Sequence, residues 1–189
     1  MSIIICPGIH EPGLTENFIS ECLFSASDSC KPENSRKILV FPGDGLLVLS
    51  SVHILQFLGD RLQNDLKSPV TFISFSAGVV GAIGAACSWQ LLGGNIKGFI
   101  AIDGWGVPLW GNFPIHRMSH DYFTHWSSSL SGGRHDNFYA DPAVNHLSMW
   151  RAPQTVKGWW IHSSVKASQP PVPLTAAEFL HLLIKRYEQ

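Results

Sequence analysis

The chain has 189 residues, 45% of them hydrophobic and 14% charged, enough for one domain whose core needs neither disulfides nor metal. Its formal net charge of -1 leaves no basic field to attract nucleic acid or an anionic membrane surface, so both are excluded as main partners. Cys6, Cys22, Cys30 and Cys87 show neither C-x-x-C nor zinc-type Cys/His spacing, and Cys6 and Cys87 lie in apolar runs where a reduced thiol packs as a small hydrophobe.

In chain order, short apolar runs rich in β-branched residues occur at 2–6 (SIIIC), 37–41 (KILVF), 70–75 (VTFISF) and 98–102 (GFIAI), each closed by Gly, Pro or Asp. They read as strands. Between them, 15–26, 50–66 and 77–93 read as helices, with Thr15 and Ser50 or Ser51 as N-caps and Gly93 and Gly94 as C-terminal stops. Near-continuous apolar strands alternating with helices predict a parallel sheet covered on both faces, because each crossover lays a helix on the sheet. The expected fold class is therefore α/β, a three-layer α/β/α sandwich with a mostly parallel central sheet.

Residues 104–135, rich in Gly, Trp and His without a clear period, are too long for a plain connection and suggest a cap- or lid-like insertion in a single domain spanning 1–189. A short strand at 137–141 (NFYAD), the segment 142–153, a helix from 153 to about 161, a stiff extended connector at 168–173 (SQPPVP) and a closing helix from 175 to about 187 complete the reading. Met1 leads directly into a strand-like run with no basic n-region or long h-region, and no stretch approaches 18 uninterrupted apolar residues. A soluble, cytoplasmic protein without an integral membrane segment is expected. Nothing in the sequence speaks to oligomeric state.

A strand at 70–75 followed by a helix at 77–93 leaves Ser76 in the turn between them. Such a turn is tight only if the residues two before and two after the serine are small, and here they are Ser74 and Gly78. S-x-S-x-G is a variant of the G-x-S-x-G nucleophile elbow, in which a strained turn lifts the serine Oγ clear of the sheet and a helix N-terminus aims N–H groups at a developing oxyanion. The plainer reading is a serine that only caps the helix.

With SFSAG, CPGIHEPG near the start, AIDGW and NHLSMW, the chain resembles the α/β-hydrolase superfamily, in particular its small lipase-, esterase- and thioesterase-like members. The resemblance implies a compact hydrolase fold and chain order Ser, acid, His. The loop after the first strand would supply the Ile9 N–H as one oxyanion donor and the Ala77 N–H would be the other, although Pro7 stands where a histidine often does. Gly8, His10, Trp105 and Trp110 would line the substrate pocket.

The serine requires a base, and the base an acid to hold its tautomer. His146, late in the chain after the strand at 137–141, is the base this order selects. His162 lies on an apolar stretch, His53 along an early helix, and His116, His120, His125 and His135 in the expected lid; His10, His125 and His135 are the competing bases. Asp103 ends the strand that follows the elbow helix, where catalytic groups of a parallel sheet gather, and is the expected acid. Asp141 is the alternative, and Asp136 precedes its strand and points to the wrong rim.

His116 and His120 are spaced i, i+4, but without H-E-x-x-H or a well-placed carboxylate they do not define a metal site. No phosphate-binding glycine motif occurs, and no metal or cofactor is called for. Trp105, Trp110, Phe113, Tyr122, Phe123 and Trp126 form either an apolar acyl- or aryl-accepting pocket or the core of the lid. The sequence thus points to a serine hydrolase of carboxylic esters or thioesters. The alternative is a non-catalytic relative that binds a small apolar ligand or a protein partner.

Overall fold

The computed structural model describes residues 1–23, 36–132, 135–163 and 170–189; Cys30, the last residues of the first expected helix and the start of the 168–173 connector lie outside them. The described residues form an α/β protein with one eight-stranded, mostly parallel sheet and six α-helices. The strands are β1 Ser2–Cys6, β2 Lys37–Val40, β3 Val70–Phe75, β4 Ile96–Ile102, β5 Ile115–Ser119, β6 Asn137–Ala140, β7 Lys157–Ile161 and β8 Val172–Thr175. The helices are α1 Pro12–Cys22, α2 Ser51–Leu62, α3 Gly78–Leu91, α4 Tyr122–Ser129, α5 Ser148–Arg151 and α6 Ala176–Glu188, with a 3₁₀ turn at Gly45–Leu49.

The sheet order is β2-β1-β3-β4-β5-β6-β7-β8. Parallel pairing runs from β2 to β6, and β7 is antiparallel to both β6 and β8. The apolar runs of β1 and β3 are buried along their whole length, as strands covered on both faces must be. Alternate residues of β1, β3 and β4 divide between two apolar clusters: Ile3, Ile5, Ile73, Phe75, Ile100 and Ile102 pack with α1 and α6, whereas Ile4, Cys6, Phe72, Phe99 and Ala101 pack with α2 and α3. Burying each such isoleucine or phenylalanine side chain contributes roughly 1.5–3 kcal/mol.

Helix starts follow local chemistry. Ser50 caps α2 by accepting from the His53 N–H, Asp121 caps α4 through Thr124, and Thr175 with Glu178 forms a capping box on α6. Gly93, at φ +93°, stops α3 in the left-handed conformation that glycine adopts most readily. Thr15 is not the cap expected for α1: the helix begins earlier, behind Glu11 and Pro12, and Thr15 is buried within it, accepting a hydrogen bond from Trp150.

Two stretches depart from the expectations. Residues 104–135, expected as a lid-like insertion, supply β5, hydrogen-bonded between β4 and β6, and α4, the crossover from β5 to β6. The helix expected over 153–161 is instead β7, because the edge of β6 offers it an antiparallel ladder from Asn137↔Ile161 to Ala140↔Gly158 and Trp160 packs against the α1–α6 cluster. No helix among the described residues is long and apolar enough to cross a membrane.

The chain passes from β1 to β2 on one side and places β3 on the other side of β1. This reversal opens a crevice outside the carboxyl ends of β1 and β3, the place where ligands bind in open α/β sheets.

Candidate active site

Ser76 follows β3 directly and sits at φ 51°, in the left-handed region that costs a non-glycine residue of order 1–3 kcal/mol. The sheet holds it there: its N–H donates to Ile102 O at 2.9 Å, while its carbonyl accepts from Val79 in the first turn of α3 at 3.1 Å. The turn closes because its neighbours lack side chains. A Cβ on Gly78 would lie 2.2 Å from Pro7 O, and one on Gly8 would lie 2.9 Å from the Ser76 Cβ. Ser74, standing where the elbow motif has glycine, is buried and sends its hydroxyl to Ile100 O, so the sheet absorbs the substitution.

Asp103, immediately after β4, is likewise left-handed at φ 54° and donates its N–H to Met118 O at 2.7 Å. Its side chain is 1% exposed, a location that a carboxylate tolerates only with partners. It has three. The His146 Nδ1 lies 2.5 Å from Oδ2, the His120 backbone N–H donates to Oδ1 at 3.1 Å, and the His120 Nδ1 is 2.8 Å from each oxygen.

His146 lies in the loop between β6 and α5. Its Nε2 is 2.9 Å from Ser76 Oγ. A carboxylate accepts but does not donate, so Nδ1 carries the proton toward Asp103 and Nε2 is left to accept from the serine hydroxyl. The ring is held in place by a column of aromatics. It stacks on Phe75 at 4.8 Å, Phe75 on Trp150 at 5.0 Å, and Trp150 on Phe18 at 3.7 Å. A serine, an imidazole and a carboxylate joined in this order can deprotonate the hydroxyl and stabilise the resulting imidazolium.

The backbone N–H groups of Ala77 and Ile9 have no acceptor among the described residues. Ala77 stands at the N-cap of α3, where helix dipole and unpaired N–H groups favour an anion, and Ile9 is exposed in the loop after β1. A cavity of about 580 Å³ opens above Ser76, walled by Leu49, Val80, Trp105, Val107 and Phe123, with Asp103, His120 and His146 at its polar end. That volume is in the ordinary range for a small-molecule site.

Of the expected pocket residues, Trp105 lines this cavity. Gly8 lies behind it against Ser76, and His10 packs beside the Phe75–Trp150 stack with Nδ1 on Glu11 O. Trp110 lies outside the lining, its carbonyl accepting from Cys87 Sγ. Asp141 accepts from Trp159 Nε1 at 2.9 Å, and Asp136 is bound by Arg186 and the Ser163 N–H.

The other histidines are committed elsewhere. His116 binds Asp136 O and the Tyr187 hydroxyl, His135 accepts from the Ile115 N–H, His125 stacks on Tyr139, His53 meets Ser50 and His162 lies against Trp160. His116 and His120 do not share a helical face, because β5 carries the former and ends just before the latter. Among the described residues, the only His/Cys/Asp/Glu group close enough to hold a metal ion is Asp103, His120 and His146, with ligand atoms within 4.8 Å of one another.

His120 is the contact that sequence reasoning missed. It follows a strand's carboxyl end, the position that singled out Asp103, and recognising β5 as a strand would have singled it out too. Compared with known families and curated proteins, the chain matches no family model and no curated sequence.

Proposed function

We propose that the protein is a serine hydrolase that cleaves a carboxylic ester or thioester through an acyl-enzyme. The observation that carries the reading is the continuous line from Ser76 Oγ through His146 to the buried Asp103, at 2.9 and 2.5 Å. Ser76 Oγ attacks the acyl carbonyl carbon as His146 Nε2 takes its proton. The tetrahedral oxyanion is held by the N–H groups of Ala77 and Ile9. His146 passes the proton to the departing alkoxide or thiolate, leaving the acyl group on Ser76. Water, deprotonated by His146, then attacks that ester, and collapse returns the proton to Ser76 and releases the acid.

The two apolar clusters on opposite sides of the sheet support a three-layer α/β/α arrangement, and with the strained serine turn they support membership of the α/β-hydrolase superfamily. The apolar walls of the cavity suit an acyl group. Among the described residues Cys6, Cys22 and Cys87 carry free thiols, as a reducing, cytoplasmic setting would keep them.

Fluorophosphonate labelling and hydrolysis of p-nitrophenyl esters of increasing chain length test the reading. Ser76→Ala is expected to abolish labelling and lower turnover by about 10³-fold or more. Asp103→Asn should lower turnover far more than Asp141→Asn. A wild-type protein that neither labels nor turns over any ester or thioester, yet binds apolar ligands in the cavity, would overturn the hydrolase in favour of a binding protein.

A further inference from the structure

We infer that His120 is a positioning residue for the Ser76–His146–Asp103 line, a second histidine on the same carboxylate that sets how strongly Asp103 holds His146. The inference rests on the hydrolase reading. Asp103 stands at the junction of three segments. It ends β4, His120 follows β5, and His146 comes from the loop after β6. His120 grips the carboxylate twice, through its backbone N–H at 3.1 Å and its Nδ1 at 2.8 Å. Its carbonyl accepts from the Val144 N–H at 3.0 Å, two residues before His146. One residue thus ties the acid and the base loop together, and the rings of His120 and His146 meet edge-to-face at 6.2 Å.

The backbone contacts would be available to any residue but proline, so the side chain must be explained separately. With Nδ1 facing an acceptor-only carboxylate, it donates its proton there. That bond draws negative charge from Asp103 and competes with the His146 Nδ1–H for it. The charged or titratable groups facing His120 are Asp103 from β4, His146 from the base loop, and Asp121 at the start of α4, whose Oδ2 is 3.7 Å from the His120 Nε2. His120 therefore shares the carboxylate with His146 and fixes the orientation in which it meets the His146 Nδ1–H. Without the side chain, Asp103 is free to turn from the geometry that aims His146 Nε2 at Ser76.

Replacing His120 by leucine is expected to lower kcat about ten-fold, with KM little changed. His120→Asn, whose amide N–H can stand where Nδ1–H stood, should restore kcat to within about three-fold of wild type. A readout independent of turnover is the downfield proton resonance of the His146–Asp103 bond. It should shift in His120→Leu, return toward its place in His120→Asn, and vanish in Asp103→Asn.

The resonance separates the two claims. If it responds to His120 as described while no ester is turned over, the positioning role holds and the hydrolase reading fails. If it and kcat are the same in wild type and a folded His120→Leu protein, or if asparagine rescues no better than leucine, the positioning role is overturned. Thermal melts of both variants establish that each is folded before comparison.

Discussion

Replacing Gly78 with alanine sets two magnitudes against each other. On local grounds alanine is the better helix former by about 1 kcal/mol, and Gly78 opens α3, so the substitution would stabilise. Tertiary packing says the opposite. An added Cβ would lie 2.2 Å from Pro7 O, 2.6 Å from Cys6 O and 2.9 Å from the Pro7 carbonyl carbon, and every obstructing atom is backbone at the end of β1. That strand is paired with β2 on one side and β3 on the other, so it yields only by moving with the sheet.

Overpacking of this kind costs about 1–3 kcal/mol, with the upper end expected against backbone. The net loss is about 2 kcal/mol, and Tm should fall by about 4–8 °C for a chain of this size. Because the displaced segment carries Ile9, fluorophosphonate labelling should slow as well. Gly13 in α1 is the control: nothing lies within 4 Å of its Cβ position, so Gly13→Ala should raise stability by up to about 1 kcal/mol. Urea unfolding and thermal melts of both variants decide the matter. A Gly78→Ala protein that melts at or above the parent would refute the close approach of the β1 loop to α3.

Buried His116 gives a pH prediction. Burial lowers its pKa to about 4, against the pull of the Asp136 carbonyl. A histidine depressed in the folded state contributes stability that is present above the unfolded value near 6.5 and is lost as pH falls through the folded value. Between pH 7 and pH 4.5 the loss is about 2–3 kcal/mol, so a folded His116→Gln protein should show a shallower decline in urea stability over that range. Arg117, 3% exposed, donates to the carbonyls of Val107, Ser131 and Gly132, and burial draws its pKa down to about 10. Arg117→Lys cannot reproduce that fork, and should cost about 1–3 kcal/mol in urea unfolding by leaving carbonyls without donors.

Several elements were legible because their signals are local. The runs at 2–6, 70–75 and 98–102 became β1, β3 and most of β4, since a strand buried on both faces is apolar at every position. α3 was visible through the small residues after the elbow, and α6 was expected from 175 to about 187, close to its observed span Ala176–Glu188. β5 was hidden for the converse reason. Its sequence, IHRMS, carries a histidine and an arginine that look exposed but are buried. Their partners, Tyr187 for the first and Val107, Ser131 and Gly132 for the second, come from 10 to 71 residues away. β7 was mistaken for a helix because KGWWI has no alternation of its own and acquires its form from pairing with β6.

The candidate site divides in the same way. Small residues around Ser76 and an aspartate closing an apolar strand are local statements about backbone and burial, and the sequence alone picked out both residues, with His146 chosen by chain order. Whether Asp103 or Asp141 meets His146 was decided only when β4, β5 and the loop after β6 came side by side, which put Asp103 2.5 Å from the imidazole and Asp141 on Trp159. His120 belongs wholly to the tertiary structure. Its importance comes from a carboxylate 17 residues away, and contacts across neighbouring strands leave no periodic trace in either strand's own sequence.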